Sequence, residues 1–192
     1  MSAYVADYEL VADHGHTNQG RLYRAKPPAR LGLTEPYVAV KVLDQRATEE
    51  EFGRLASELR IVAGIRSPHV IKFFDAGNGA GILYLATEYH AGGTLEQHGM
   101  PVDPRTAARI VADAALGAHD LHEASVVHRD IRPANILIDE GGRGVLTDLG
   151  LAQHLKPGST TTGSSTTPSR TQRTTTRLAP AVRAAFVTCS IP

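Results

Sequence analysis

Residues 126–138, VVHRDIRPANILI, set five strongly polar side chains between two runs of apolar, mostly β-branched residues. His128, Arg129, Asp130, Arg132 and Asn135 are therefore placed where the flanks predict burial. A buried polar group without a partner costs about 1–3 kcal/mol, so a fold that accepts this stretch must give each of these groups a partner or a task. The flanks, 126–127 and 136–138, read as short strands, and the polar interior reads as a loop fixed between them.

The remainder of the chain supplies enough core to hold such a loop. A chain of 192 residues with 42% hydrophobic residues can bury a core and form one domain or two small lobes. Composition divides the chain near Pro157. Residues 159–176 have Ser or Thr at 13 of 18 positions and no apolar periodicity, which predicts a disordered tail over 157–192. Lys plus Arg equals Asp plus Glu at 20 each, so no overall charge draws the chain toward nucleic acid or an anionic membrane. Any phosphate must then be held locally. The N-terminal residues show no basic region followed by an apolar one, and no run reaches the roughly 18 apolar residues that span a bilayer. A single cysteine, Cys189, forms no internal disulfide. The expected compartment is the cytoplasm.

Before Pro157, residues 8–11, 21–24 and 37–43 read as strands, the first two joined by the loop ADHGHTNQG. Thr48 with Glu51 matches a capping box and Gly64 stands at a C-cap position, which predicts a helix over 49–63 with Phe52, Leu55, Leu59 and Val62 as its apolar stripe. Strands follow at 70–75 and 82–88. Asp103 and Pro104 form an N-cap and first-turn pair, and Ala107, Ile110, Val111, Ala114, Ala118 and Leu121 recur at helical spacing up to His122. Short strands close the series at 136–138 and 145–146. The order predicts an α+β fold with a β-rich first lobe.

Three constellations carry chemistry. Gly15, Thr17 and Gly20 have the spacing of a phosphate-cradling loop with its middle glycine replaced; an ordinary glycine hairpin has the same look. Lys41 sits in VAVKVLD, and Glu58 falls within or beside the apolar stripe of the first helix, where a carboxylate is costly unless a cation pairs with it. Asp130, Asn135 and Asp148 offer hard oxygen ligands suited to Mg²⁺, or an acid that orients a hydroxyl, though each residue type also forms ordinary turns. His119 and His122 share a helix face, but a helix end with one packed and one solvated histidine explains them more simply than a metal site.

In this order, the glycines, VAVK, a helical Glu, HRDIRPAN and DLG resemble the protein kinase motif set over residues 8–152, with RPAN closer to the serine/threonine kinases. The resemblance implies a β-rich N-lobe and hinge over 8–90, the beginning of a helical C-lobe over 91–156, and MgATP as cofactor. It implies that backbone around Gly15, Thr17 and Gly20 covers the phosphates and that Lys41, paired with Glu58, grips them. Leu22 and Ala39 would lie above the adenine and Leu137 below it, with Glu88 and His90 on the hinge and Thr87 as gatekeeper. Asp130 would orient the hydroxyl of a protein Ser or Thr, Arg132 would face the γ-phosphate, and Asn135 and Asp148 would hold Mg²⁺. His128 would pack beneath the Asp-Leu-Gly segment without moving protons. Arg129 would answer phosphorylation at 160–162.

The sequence departs from that pattern at Thr17, at Arg132 where a Lys is usual, at Leu149 where a Phe is usual, and after Gly150. There LAPA leads to only 11 further residues, so the sequence as read is expected to lack the helices that complete a C-lobe, and the long helix is expected to expose apolar surface for a dimer or partner to cover. The tail has the look of a truncated or out-of-frame end. Two other readings follow: a catalytically inactive nucleotide-binding or interaction module, and a small-molecule phosphotransferase.

Overall fold

The computed structural model describes residues 3–17, 20–44, 48–79, 82–99 and 102–149. The expectations for the tail, including residues 160–162, lie outside them. Six antiparallel strands, β1 (Ala3–Val5), β2 (Tyr8–Thr17), β3 (Gly20–Lys26), β4 (Val38–Leu43), β5 (Phe73–Gly79) and β6 (Ile82–Glu88), form one sheet in the order β1-β2-β3-β4-β6-β5. Helix α1 (Glu49–Ala63) enters between β4 and β5. Helix α2 (Pro104–Glu123) and a two-stranded hairpin of β7 (Ile136–Ile138) and β8 (Gly144–Leu146) complete the described fold.

Helix α1 starts where its capping box predicts. Thr48 Oγ1 accepts from the Glu51 amide at 3.2 Å, and Glu51 Oε2 accepts from the Thr48 amide at 2.8 Å. Leu55, Leu59 and Val62 are its buried face. Helix α2 is capped by Asp103, whose Oδ1 accepts the amides of Arg105 and Thr106.

Both faces of the sheet are covered. Leu43, Leu83 and Leu85 pack with Leu55, Leu59 and Val62 of α1, and the same cluster runs on through Ile110, Ala114, Ala118 and Leu121 of α2 to Ile136, Ile138 and Leu146. One core therefore joins the sheet to the α2–hairpin unit. Tyr8, Ala25, Val38, Val40, Tyr84 and Ala86 form a second cluster. Within it Tyr8 donates its hydroxyl to Asp75 Oδ2 at 2.8 Å, which ties the chain start to β5, and burial raises the phenol well above its usual pKa.

Several strand boundaries differ from the sequence reading. Strand β2 runs on through residues read as a loop, because bulges between Leu10 and Ala12 and between Asp13 and His16 absorb the irregular polar pattern, with Gly15 at φ +86°. Strand β5 begins at Phe73 rather than residue 70. Val70 and Ile71 are buried at the junction with β8, where the Ile71 amide donates to Leu146 O at 2.8 Å and the Leu146 amide donates to His69 O at 2.8 Å. Residues 126–127 form no strand; the Val126 amide donates back to Leu121 O at 2.9 Å and closes α2. Nor does α2 expose a broad apolar face, since Ile110, Ala114, Gly117, Ala118 and Leu121 are buried and Leu116 is its exposed large apolar side chain.

Candidate active site

Lys41 is the one charged residue of β4, and its strand carries it into the core rather than to water. Only 7% of it is exposed, and its Nζ donates to both Asp148 carboxylate oxygens at 2.6 Å. Such burial requires a counter-charge, and Asp148 supplies one from 107 residues away in sequence. Asp148 has φ +57°, a left-handed conformation that costs a non-glycine residue about 1–2 kcal/mol. Buried Leu146 and Leu149 on either side fix the chain there, which is the packing role of the residue that departs from the usual Phe. Glu58 lies half-buried on α1 beside Leu55 and Leu59, on the edge of the stripe.

The polar stretch between residues 128 and 135 is a loop in which each group has a place. Buried Asn135 donates through Nδ2 to both Asp130 O and Asp130 Oδ2 at 2.8 Å, so its side chain sets the carboxylate of Asp130. The same amide orientation directs Oδ1 to the opposite side. Arg132 places Nε 3.5 Å from Asp130 Oδ2, with both side chains about two-fifths exposed, so the attraction is weak. Arg129, at φ +68°, turns the chain between His128 and Asp130.

His128 is 1% exposed. Its Nδ1 accepts the Asp130 amide at 3.3 Å, so the proton resides on Nε2, which donates to Thr147 O at 2.9 Å. Burial, the largest cause, holds its pKa below the ordinary value, so it stays neutral. It therefore splices the loop to the residue before Asp148. A group that resists protonation only when folded stabilises the fold above its unfolded pKa of about 6.5, and that stability is lost as pH falls below it. His128→Phe is thus expected to flatten the loss of unfolding free energy between pH 7.5 and 5.5 by as much as about 1.4 kcal/mol per pH unit. Denaturant titrations at both pH values check this; equal slopes for the two proteins would remove His128 from the acid response.

The strand register gathers the expected nucleotide-binding positions. Leu22 opposes Lys41, Lys41 opposes Leu85, and Ala39 opposes Thr87, so Leu22, Ala39, Lys41 and Thr87 share one face of the sheet. Leu137 lies in β7, bridged to Thr94. At the glycine hairpin, Gly15 donates its amide to Asp13 Oδ1 at 2.8 Å, and Thr17 Oγ1 donates to Gly20 O at 2.9 Å. Thr17 thus fastens the base of the turn. The Glu88 and His90 side chains meet each other, Nε2 to Oε1 at 3.2 Å, and line a cavity of about 710 Å³ shared with Lys72 and Arg143. That cavity's lining includes none of Lys41, Asp130, Asn135 or Asp148. Both His119 and His122 are exposed on α2, so neither is packed as the sequence suggested.

Sequence reasoning missed Tyr89, Arg24 and His14, which meet at the edge of the same face. Aromatic and cationic residues in loops and strand ends were the available signal, but nothing in the spacing brings residues 14, 24 and 89 together.

An antiparallel sheet with one helix packed on it, joined to a long helix and a short hairpin with the polar groups between them, is the architecture of a kinase N-lobe and the beginning of its C-lobe. The family described as "Protein kinase domain" matches residues 15–178, and the chain belongs to it. It is 36% identical over 155 residues to the probable serine/threonine-protein kinase pknA2 of Bifidobacterium longum, covering 76% of this chain and 20% of that protein. It is 32% identical over 123 residues to the serine/threonine-protein kinase PrkC of Bacillus subtilis, covering 62% of this chain and 19% of that one. Among solved structures it resembles the Mycobacterium tuberculosis PknI kinase domain with a TM-score of 0.66 and 28% identity, over 78% of this chain and 62% of that one. The chain thus spans about a fifth of the length of these curated relatives.

Proposed function

We propose that the chain transfers the γ-phosphoryl group of MgATP to Ser or Thr hydroxyls of a protein substrate in the cytoplasm. The observation that carries this reading is the meeting of Lys41 and Asp148 at 2.6 Å, beside the loop in which Asn135 holds Asp130. Family membership and the serine/threonine kinase relatives support the same chemistry. Among the described residues, no helix is long and apolar enough to cross a membrane.

The donor set suits Mg²⁺. The Asp148 carboxylate and the Oδ1 of Asn135 are hard oxygen ligands, and Mg²⁺ takes few protein ligands while keeping waters and substrate phosphates. The bound ion would offset charge on the transferring phosphoryl group. Lys41 is then a cation poised to leave Asp148 for the α- and β-phosphates, with Glu58 on the adjoining helix face. Asp130, oriented by Asn135, would accept the hydrogen bond of the substrate hydroxyl and position it for attack. Arg132, on the same loop and beside Asp130, would face the γ-phosphate.

The test is MgATP binding and phosphate incorporation by the full 192-residue chain, with Lys41→Ala and Asp130→Ala alongside. Incorporation that is lost in both variants supports the reading. Binding of MgATP without any transfer would replace it with a nucleotide-binding module.

A further inference from the structure

We propose that Asp113 is a positioning residue for the phosphoryl transfer: from α2 it fixes β8 and the α1–β5 connection against each other, and thereby sets where Asp148 stands relative to Lys41. The proposal rests on the reading of the site given above. Asp113 lies on the inner face of α2, among buried Ile110, Ala114 and Gly117, and its side chain is only 13% exposed. A carboxylate so placed needs donors. It finds them on two different segments. Oδ2 accepts the amide of Gly144, the first residue of β8, at 3.0 Å. Oδ1 faces Nδ1 of His69, in the α1–β5 connection, at 3.6 Å. That ring nitrogen is buried and has no hydrogen-bond partner among the described residues, so the carboxylate beside it offsets the cost of its burial.

The backbone closes around the same point. His69 O accepts the Leu146 amide and Leu146 O accepts the Ile71 amide, both at 2.8 Å, so Val70 runs parallel to Leu146 for one bridge. Gly117 permits this approach, because a Cβ there would collide with His69 O and press on Leu146 Cδ1. Helix, hairpin and connection thus meet in close contact, and one carboxylate ties all three.

What this junction carries is Asp148. It follows Leu146 by two residues, whereas Lys41 comes from the sheet that the connection enters through β5. The bonds of 2.6 Å between Lys41 and Asp148 therefore depend on how β8 is seated against the connection. Asp113 makes its two contacts to Gly144 and His69 rather than to either of these groups, so it acts on the chemistry through them. Reacting groups misplaced by about 1 Å lose about a hundredfold in rate, which is the lever such a remote residue holds.

The experiment follows initial rates of phosphate incorporation by the full chain over a range of MgATP concentrations, together with denaturant unfolding and hydrogen exchange. Asp113→Ala is expected to lower kcat about ten- to a hundredfold, to change the KM for MgATP by less than about threefold, and to speed exchange of the Gly144 amide. Asp113→Asn keeps an oxygen for that amide and is expected to restore most of the rate. His69→Ala leaves the Gly144 bond in place and is expected to lower kcat by about threefold, in keeping with its longer contact. Tyr8→Phe, which loses its bond to Asp75 in the other core cluster, controls for lost stability and keeps its kcat. A full rate in Asp113→Ala, a loss that Asp113→Asn shares in full, or a matching loss in Tyr8→Phe overturns the positioning role and leaves the reading of the site standing. If the unaltered chain transfers no phosphoryl group, that reading fails and the positioning role with it.

Discussion

Asp148→Asn is expected to lower phosphoryl transfer by about a thousandfold or more while leaving a folded chain. The substitution preserves shape and removes one charge. That charge is the group that Lys41 now holds with two bonds of 2.6 Å, and it is the stronger of the two oxygen donors proposed for Mg²⁺. Lys41 is buried, so weakening its partner has a stability cost of about 1–3 kcal/mol. The side chain of Asp148 is 26% exposed, which lets water take over part of the pairing and places the cost below that of a sealed ion pair. The two effects separate experimentally: initial rates of phosphate incorporation fall by orders of magnitude, while the thermal midpoint falls by only a few degrees. A variant that keeps a tenth of the rate would take Asp148 out of the chemistry.

What could be read in the sequence was what local rules decide. Helix α1 has a capping box, an acidic first turn and a 3.6-residue stripe that agree with one another, and its bounds follow from them. Strands β6 and β7 are apolar runs with clear breaks on either side, and they stand as read. Strand β2 was read at its start, residues 8–11, but its outer half, ADHGHT, was hidden because it has turn-forming residues that only the ladder with β3 keeps extended. Strand β5 was displaced because Val70 and Ile71, good strand residues, are used instead to weld the α1–β5 connection to β8. For the proposed site, residue types and motif order singled out Lys41, Asp130, Asn135 and Asp148. The resemblance paired Lys41 with Glu58 and did not anticipate the two bonds of Lys41 to Asp148, because those depend on how the two lobes face each other. The contact of His14 with Tyr89 was illegible for the same reason: it spans 75 residues and obeys no period.

The two glycines of the hairpin are expected to respond very differently to the same substitution. Gly15 has φ +86° with nothing within 4 Å of the place a Cβ would take, so Gly15→Ala meets only backbone strain, about 1–2 kcal/mol. Gly20 has φ +152°, and a Cβ there would stand 2.0 Å from Val42 O and 2.8 Å from Leu43 Cα. Those are backbone atoms of β4, which cannot swing aside as a side chain can, so Gly20→Ala is expected to cost about 3 kcal/mol or more. Midpoints of denaturant unfolding for both variants check the contrast, and equal losses would refute it. Gly20 opposes Leu43 and Leu22 opposes Lys41 in the same β3–β4 ladder, so the damage reaches the strand that carries the lysine. Loss of phosphoryl transfer in Gly20→Ala would therefore follow from a broken sheet, whereas a loss of transfer in Gly15→Ala larger than its smaller stability cost explains would report on the turn proposed to cover the phosphates. Side by side, the two variants separate the glycine that the sheet needs from the glycine proposed to cover the phosphates, a distinction that their shared motif conceals.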